Sequence, residues 1–547
     1  MNTILAAYAF EPLPFSELLA ACGLLIGASI FTWKRLLRFL RFFQQEEYSN
    51  VRFISWIVKQ RAFDTLGSAA AGILALLVFM GLPALIASLV GLGALIAMAM
   101  WEDDPRIKGK VRLVMTERAQ RIYSTAFGLY ALTAAAIAAA TFQQPAVLWL
   151  AQIALFQLTP LWLMAACQLL SRKEMQRQNN FLLEAKTIYA AAAPFVIGIT
   201  GSYGKTSTKD ALGQILQITL GPTFWPAKGI NTPMGITREI RTHLRSGMKY
   251  AVIEMGAYGR GSIDRLCKLT PPHAALITCV GNAHLERFGS EENILLTKAE
   301  LAQAVPANGL LVVNGDNKGC RRIAHENPKK TTLLYGLNKD LGELDCWVSS
   351  WKTTPEGTLF TLHWQNKAYE GFTPLLGATA LSNAVGAFTM ACALGSQPDY
   401  ALGVIHNLTP VDNRLQMQKE GRITYLKDAY NSNPVGFAAA LEVMAALPGK
   451  RRLVMTPGMI ELGEEQRVQN EKVGRLAAVK CDAALIVGMT NRHALTKGLL
   501  EGGMQSGQVF FCETREKAFA LLHSMAQEDD IVLIENDLVD LYEPVRF

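Results

Sequence analysis

Residues 196–210 read VIGITGSYGKTSTKD, from Val196 to Asp210, and this stretch decides the fold of most of the chain. A β-branched run (Val196, Ile197, Ile199) gives way to Gly201, Ser202, Tyr203 and Gly204, and a helical pattern opens at Lys205. Strand, glycine turn and helix in that order make a phosphate cradle. Amides at a helix N-terminus point at an anion, and glycine lets the backbone approach it. Lys205 then reaches terminal phosphates, and the Thr206 or Ser207 hydroxyl faces Mg²⁺. The full GxxxxGK[ST] spacing is not met, because five residues separate Gly198 from Gly204. The pattern is the shorter TGxxGKT[ST] form. The bland alternative is a Gly-rich turn beside a surface lysine; GKTS placed between a strand and a helix outweighs it.

Two further strands extend this site. Tyr250 to Ile253 (YAVI) ends in Glu254, and Ala274 to Val280 (AALITCV) leads into Gly281, Asn282, Ala283 and His284. Ligands of open α/β sheets bind beyond the carboxyl ends of the strands, so Lys205, Glu254 and His284 are expected to converge there. A carboxylate, an imidazole and a hydroxyl around a triphosphate suit Mg²⁺. Read alone, His284 is a hydrogen-bonded surface histidine and Glu254 a solvated strand end; their shared place behind the cradle reverses that.

At 547 residues the chain holds several units. Half of it is hydrophobic, and the apolar excess lies before residue 171. The net charge of +7 does not point to nucleic acid, since the basic residues of this region sit beside apolar spans. The nine cysteines show no CxxC spacing, and reduced, buried thiols are expected.

A bilayer-spanning helix needs about 20 mostly apolar residues. Five such spans are expected: Phe15 to Trp33, two short ones within Leu66 to Trp101 that break at Gly81-Leu82-Pro83, Ser124 to Phe142, and Ala146 to Leu170. No Lys or Arg precedes the first, which argues against a cleaved signal peptide. Lys34, Arg35, Arg38, Arg41, Arg52, Lys59 and Arg61 follow the first span. Arg106, Lys108, Lys110, Arg112, Arg118 and Arg121 follow the third; Arg172, Lys173 and Arg177 follow the fifth. The positive-inside rule puts the N-terminus outside and everything after Leu170 in the cytoplasm, where ATP is available. The basic loops either set topology and touch anionic lipid, or grip the phosphates of a lipid-linked substrate.

Beyond residue 408, strand-like runs at Ile423 to Leu426, Arg452 to Met455, Ala483 to Val487, Val509 to Phe511 and Ile531 to Ile534 alternate with helical stretches. The helices are expected at Val435 to Ala446, Gln466 to Ala478, Arg492 to Leu500 and Thr514 to Met525. This alternation predicts a doubly wound sheet, and the absence of GxGxxG argues against a dinucleotide.

Taken in order, TGSYGKTST (Thr200 to Thr208), IEMGA (Ile253 to Ala257), NAHLERFGS (Asn282 to Ser290) and TKAEL (Thr297 to Leu301) resemble the Mur ligases, most of all their MurF branch. VVNGDN (Val312 to Asn317), Asn383, Asn413-Arg414-Leu415, DAYNSNP (Asp428 to Pro434) and PGMIELG (Pro457 to Gly463) add to the likeness, which covers nearly everything after residue 193. The resemblance implies a chain of four parts: a membrane domain over 1–178, a linker helix over 179–194, a central P-loop ATPase domain over 195–408 and a C-terminal Rossmann-like domain over 409–547.

It also implies an ATP-dependent carboxylate–amine ligase that works through an acyl phosphate. Lys205 would stabilise the transferring phosphoryl group, Thr206 and Glu254 would hold one Mg²⁺, and His284 a second. Lys298 matches a lysine carried as a carbamate, against the bland reading of a surface lysine paired with Glu300 or Glu292. Asn314, Asp316 and Asn383 would lie toward the adenosine; Arg414 and Asp428 would contact phosphate and nucleotide. Two departures stand out. The membrane spans replace a soluble UDP-sugar-binding domain, and Glu535-Asn536-Asp537 replaces Lys-Gly-Ser, which suggests an incoming group richer in amines. The expected enzyme is therefore an inner-membrane, multi-pass peptidoglycan-type ligase, with its catalytic domains in the cytoplasm. It would join an amino acid or peptide to a membrane lipid or lipid-linked envelope precursor, with envelope-synthesis proteins as possible partners. The alternatives are a poly-glutamate or capsule-type ligase and a catalytically silent scaffold; a transporter is disfavoured, because its path would carry ionisable groups.

Overall fold

The computed structural model describes residues 15–109, 111–141, 143–429 and 432–537. Lys110 of the second basic loop, Phe142 at the end of the fourth expected span, Tyr430 and Asn431 of DAYNSNP, and the terminal segments 1–14 and 538–547 lie outside the described residues. The chain divides into a helical unit that ends at Arg177 and an α/β unit that begins at Gln178.

The helical unit is built from α1 (Phe15–Gln45), α2 (Asn50–Gln60), α3 (Leu66–Phe79), α4 (Ala84–Trp101), α5 (Glu117–Thr141), α6 (Pro145–Gln157) and the first part of α7 (Thr159–Ala192). Among the described residues, α1, α4 and α5 are each long and apolar enough to cross a membrane, and α6 with α7, bent by 59° at their break, makes a fourth candidate. Of the five expected spans, the short one at α3 does not reach that length. Its 14 residues reach only about 21 Å at 1.5 Å each, short of a hydrocarbon core of about 30 Å.

The basic segment after the first span is helical as well, because Leu36, Phe39, Leu40 and Phe43 between its cations are buried against Phe53, Trp56, Ile122 and Leu163. The cations gather at one end of the helices. Arg38 meets Glu102 at 3.2 Å, and Arg121 meets Glu174 at 2.7 Å. Arg35, 3% exposed along its side chain, lies 3.1 Å from both Asp64 and Glu102. Midway along α4 small residues allow close approach: a Cβ on Gly91 would stand 2.0 Å from Trp149.

The α/β unit holds two sheets. In the first, β2 (Thr223–Phe224), β3 (Tyr250–Glu254), β1 (Phe195–Thr200), β4 (Ala274–Ile277), β5 (Leu310–Asn314), β6 (Thr331–Gly336) and β7 (Cys346–Thr354) run parallel in that spatial order. An antiparallel extension, β8 (Gly357–Trp364) and β9 (Lys367–Thr373), completes it. Period-two alternation puts Ile197 and Ile199 in one core with Leu212 and Phe388, and Val196 in the other with Ile253 and Leu301. The sheet is thus buried on both faces, as parallel sheets are.

The second sheet orders β10 (Gln416–Glu420), β11 (Ile423–Asp428), β15 (Ile531–Glu535), β12 (Arg452–Thr456), β13 (Ala483–Val487) and β14 (Val509–Cys512). All its pairs are parallel except β10 with β11. The doubly wound sheet read from sequence is present, together with an edge strand, β10, that the apolar pattern did not reveal.

Gly91→Val is expected to lower the unfolding free energy of the detergent-solubilised protein by about 1–3 kcal/mol, the usual cost of overpacking. The check is a thermal or denaturant melt beside Gly93→Val, whose Cβ meets nothing within 4 Å and which should melt like the parent.

Candidate active site

The site begins where β1 stops. Gly204 adopts φ +81°, and a Cβ there would stand 2.2 Å from Asn383 Oδ1; at Gly201 it would stand 1.9 Å from Thr278 Oγ1. Glycine is thus required at both positions by the groups beneath the loop. Ser202 Oγ donates to the Gly281 carbonyl at 2.7 Å and accepts from the Gly281 N–H at 2.9 Å, which ties the loop to the end of β4. The helix that follows, α8 (Lys205–Thr219), aims its first amides into the turn.

On α8's first turn the Thr206 hydroxyl donates to Glu254 Oε2 at 2.8 Å, and Asn231 Nδ2 donates to Glu254 Oε1 at 2.8 Å. Glu254, the last residue of β3, is 1% exposed. A buried carboxylate gripped by two neutral donors has both oxygens fixed in place and suits a hard cation. Lys205 Nζ donates to the Gly201 carbonyl at 2.8 Å. Burial lowers its pKa from the usual lysine value, and the nearby Glu254 partly offsets this.

One crevice is lined by Gly201, Ser202, Lys205, His284 and Lys298, so the structure brings these expected residues together. Lys298, on the helix Glu291–Ala304, is 4% exposed. Burial, and then the charge of Lys205, lower its pKa from 10.5 to about 7. The surface pairing weighed from sequence is excluded by where its carboxylates go. Glu300 accepts from the N–H groups of Gly261, Ile263 and Asp264 at 2.7–3.1 Å, and Glu292 pairs with Arg322 at 2.7 Å.

His284, at φ 57°, is bonded through Nδ1 to Glu461, and Arg287 reaches the same carboxylate at 3.2 Å. Glu461 lies in PGMIELG, beyond the first sheet in sequence, and brings the second sheet's domain to the crevice. Among the described residues no three His, Cys, Asp or Glu side chains form a metal-binding group. Thr206 and Glu254 lie together where a cation could meet them and phosphate oxygens.

Other expected residues serve the fold itself. Asn314 Nδ2 donates to the Thr278 carbonyl at 2.9 Å, and Asp316 accepts from the N–H of Leu337 at 2.7 Å and of Asn338 at 3.1 Å. Asn383 packs beneath Gly204, under the phosphate loop. Ser207 lines a separate groove with Arg414. Arg414 also reaches Thr206 Oγ1 at 3.4 Å, across 208 residues of sequence. Asp428 accepts from the Leu415 N–H at 3.2 Å and so holds the turn that presents Arg414; burial raises its pKa to about 6.

The amine-contact reading of Glu535-Asn536-Asp537 is corrected. Glu535 is fully buried and accepts from Ser432, Asn536 Nδ2 donates to the Gly458 carbonyl at 2.6 Å, and Asp537 pairs with Arg515 at 2.6 Å. Sequence reasoning gave no role to Asn231, Glu461 or Lys209. Lys209 is fully buried, and its Nζ donates to the carbonyls of Pro226 (2.6 Å) and Lys228, which pins the loop before Asn231. A polar side chain inside the apolar face of α8 is the signal that would have found it.

Comparison with known proteins agrees with this geometry. Residues 199–391 match the model of the Mur ligase middle domain, and residues 413–535 that of the Mur ligase glutamate ligase domain. The UDP-N-acetylmuramoyl-tripeptide--D-alanyl-D-alanine ligase of Mycobacterium tuberculosis (strain ATCC 25618 / H37Rv) is 31% identical over 378 residues, which cover 64% of this chain and 73% of that one. The chain belongs to the Mur ligase family. The Escherichia coli (strain K12) enzyme of the same name is 32% identical over 303 residues, 55% of this chain and 66% of its own. Among solved structures, MurF from Acinetobacter baumannii superposes with a TM-score of 0.59 at 25% identity, covering 66% of this chain and 77% of that one. MurF from Thermotoga maritima in complex with ADP gives 0.57 at 25%, covering 66% and 80%. This Mur ligase is accordingly an ATP-dependent carboxylate–amine ligase by class, with a helical unit ahead of its two ligase domains.

The pKa of Lys298 sets a testable slope. Its folded value lies below the unfolded one, so between about pH 7 and 10.5 the unfolded chain holds the extra proton. Stability should therefore rise with pH through that window, by up to about 1.4 kcal/mol per pH unit, and be unaffected by this group below pH 7. Denaturant melts of Lys298→Met should lose that rise.

Proposed function

We propose that this chain is a membrane-anchored ligase that uses ATP to activate a carboxylate as an acyl phosphate and passes the acyl group to an amine, at the cytoplasmic face of the membrane. The observation that carries the reading is one chain holding both a phosphate loop with Glu254, Thr206, His284 and Lys298 gathered about it and helices apolar enough to span a bilayer. The acceptor is a lipid-linked, peptidoglycan-related envelope precursor, and the amine donor is an amino acid or peptide. Cations collected at one end of the helices support a cytoplasmic side for that end and for the ligase domains.

The residues divide the work. Amides of residues 201–206 cradle the triphosphate, and Lys205 turns from the loop carbonyls to the phosphoryl group in flight, where fixed positive charge lowers the barrier. Thr206 and Glu254 would hold one Mg²⁺ and His284 a second, with Glu461 orienting that imidazole; such ions, when bound, would offset charge on the phosphate oxygens. Lys298, buried and close to neutral, suits a carbamate, because only an unprotonated amine takes up CO₂ and its adduct is an anion where the free ammonium would repel Lys205. Arg414 and Asp428 join the second ligase domain to the nucleotide, and Asn314, Asp316 and Asn383 shape the ground on which it sits. Closure of that domain excludes water from the acyl phosphate.

Purified protein in detergent should release phosphate only when ATP, an amine and a lipid-linked muramoyl-peptide acceptor are all present. Lys205→Ala should lower that rate by about 10²–10³-fold, with the melting curve unchanged. Turnover of soluble UDP-muramoyl peptide with none of the lipid-linked acceptor would overturn the membrane part of the proposal; equal rates for Lys205→Ala and the parent would overturn the catalytic part.

A further inference from the structure

A cavity of about 750 Å³ opens in the helical unit where the C-terminal ends of α1 and α4 meet the N-terminus of α3. Arg35, Arg38 and Arg41 from successive turns of α1, and Lys108 from the loop after α4, line it with four cations against the two carboxylates Glu102 and Asp103. Those carboxylates set the positions of the cations. Glu102 lies 3.1 Å from Arg35 and 3.2 Å from Arg38, and Asp103 lies 2.7 Å from Lys108. The Arg41 guanidinium lies over the Phe42 ring, 4.6 Å from its centroid. Beside Thr65, Pro105 and Gly109, the lining adds the large apolar side chains Leu66, Met98 and Trp101. Leu66 is 63% exposed and Trp101 94% exposed, so apolar surface continues outward from the cavity.

Each half of this lining has a simpler purpose alone. Cations at helix ends set topology, and apolar side chains at a span's end face lipid. Neither purpose requires a concavity that joins them. Guanidinium groups with an excess of positive charge match phosphate oxygens in pairs, whereas a soluble anion has no use for the adjoining Leu66, Met98 and Trp101. We infer that this cavity binds the phosphate or diphosphate of a lipid-linked substrate, with Arg38, Arg41 and Lys108 on the phosphate oxygens and the hydrocarbon chain leaving past Leu66 and Trp101. The inference rests on the membrane reading above and gives it a headgroup site.

The test is equilibrium binding to the full chain in detergent, with farnesyl diphosphate, farnesol, inorganic diphosphate and phosphatidylglycerol as probes. Farnesyl diphosphate should bind at least about tenfold more tightly than each of the others. Arg41→Gln and Lys108→Gln should each weaken it several-fold, and together about tenfold or more, the cost of removing charge-assisted contacts. Lys108 is exposed and outside the helices, so its variant tests the site without disturbing their packing. Equal affinity for farnesol would reduce the cavity to an apolar surface, equal affinity for inorganic diphosphate to a free-anion site, and equal affinity for phosphatidylglycerol to a general lipid contact; each overturns the inference, as do unaltered variants. Acceptor turnover on the same proteins separates the two proposals. Turnover of lipid-linked acceptor with an unchanged KM in both variants removes the cavity and leaves the ligase reading. Tight, variant-sensitive binding without any such turnover removes the ligase reading and leaves the cavity.

Discussion

The buried carboxylate of Glu254 is the constraint on which the catalytic unit depends. It ends a strand inside a parallel sheet, at a depth where an unpaired charge is costly, and it is held by Thr206 from α8 and Asn231 from a separate loop. Moving any of the three elements breaks a hydrogen bond to an anion with no water to replace it. Lys209 then fixes the loop before Asn231, Thr278 and Asn383 fill the space that two glycines leave, and Ser202 fastens the turn to the end of β4. The phosphate loop is therefore shaped by its supports before any nucleotide arrives, which is the condition for electrostatic catalysis without reorganisation.

The same economy joins the two ligase domains. Arg414 reaches Thr206, and Glu461 reaches His284 and Arg287. Each contact ends on a residue of the first domain that lies at the phosphate loop or its crevice. The second domain thus touches the groups that would surround the phosphates through polar side chains, while Leu376 of the first domain packs into the second domain's apolar core beside Val443.

Much of this was legible in the sequence because buried parallel strands announce themselves. Val196 to Ile199, Tyr250 to Ile253 and Ala274 to Ile277 are apolar runs that stop at Thr200, Glu254 and Thr278, and the residues that follow the stops, Gly201, Gly256 and His284 among them, line the crevice. What escaped has physical reasons. The edge strand Gln416–Glu420 is mostly exposed and carries no alternation, and β8 with β9 mixes exposed and buried positions in a twisted antiparallel extension. At α3 the break at Gly81 was legible, but the helix ahead of it, Leu66–Phe79, is only 14 residues long. Side-chain partners were the least readable feature. Nothing in TKAEL shows that Glu300 turns to the amides of residues 261–264 and leaves Lys298 buried, and nothing in the run Glu535-Asn536-Asp537 shows that its members are consumed by Ser432, Gly458 and Arg515.

The helical unit is ordered by other contacts. Its cations cluster at one end, its only deeply buried guanidinium among the described residues, Arg35, is neutralised by Asp64 and Glu102, and its aromatic side chains pack tightly just beyond the first span. What unites it with the ligase domains is the chemistry proposed for the whole: a carboxylate made reactive by phosphorylation. Isotope transfer tests that most directly. With ¹⁸O in the acceptor's carboxylate, the account predicts that each turnover delivers one labelled oxygen to the inorganic phosphate released. Phosphate that emerges unlabelled, with the departing labelled oxygen found in water or AMP instead, would contradict it.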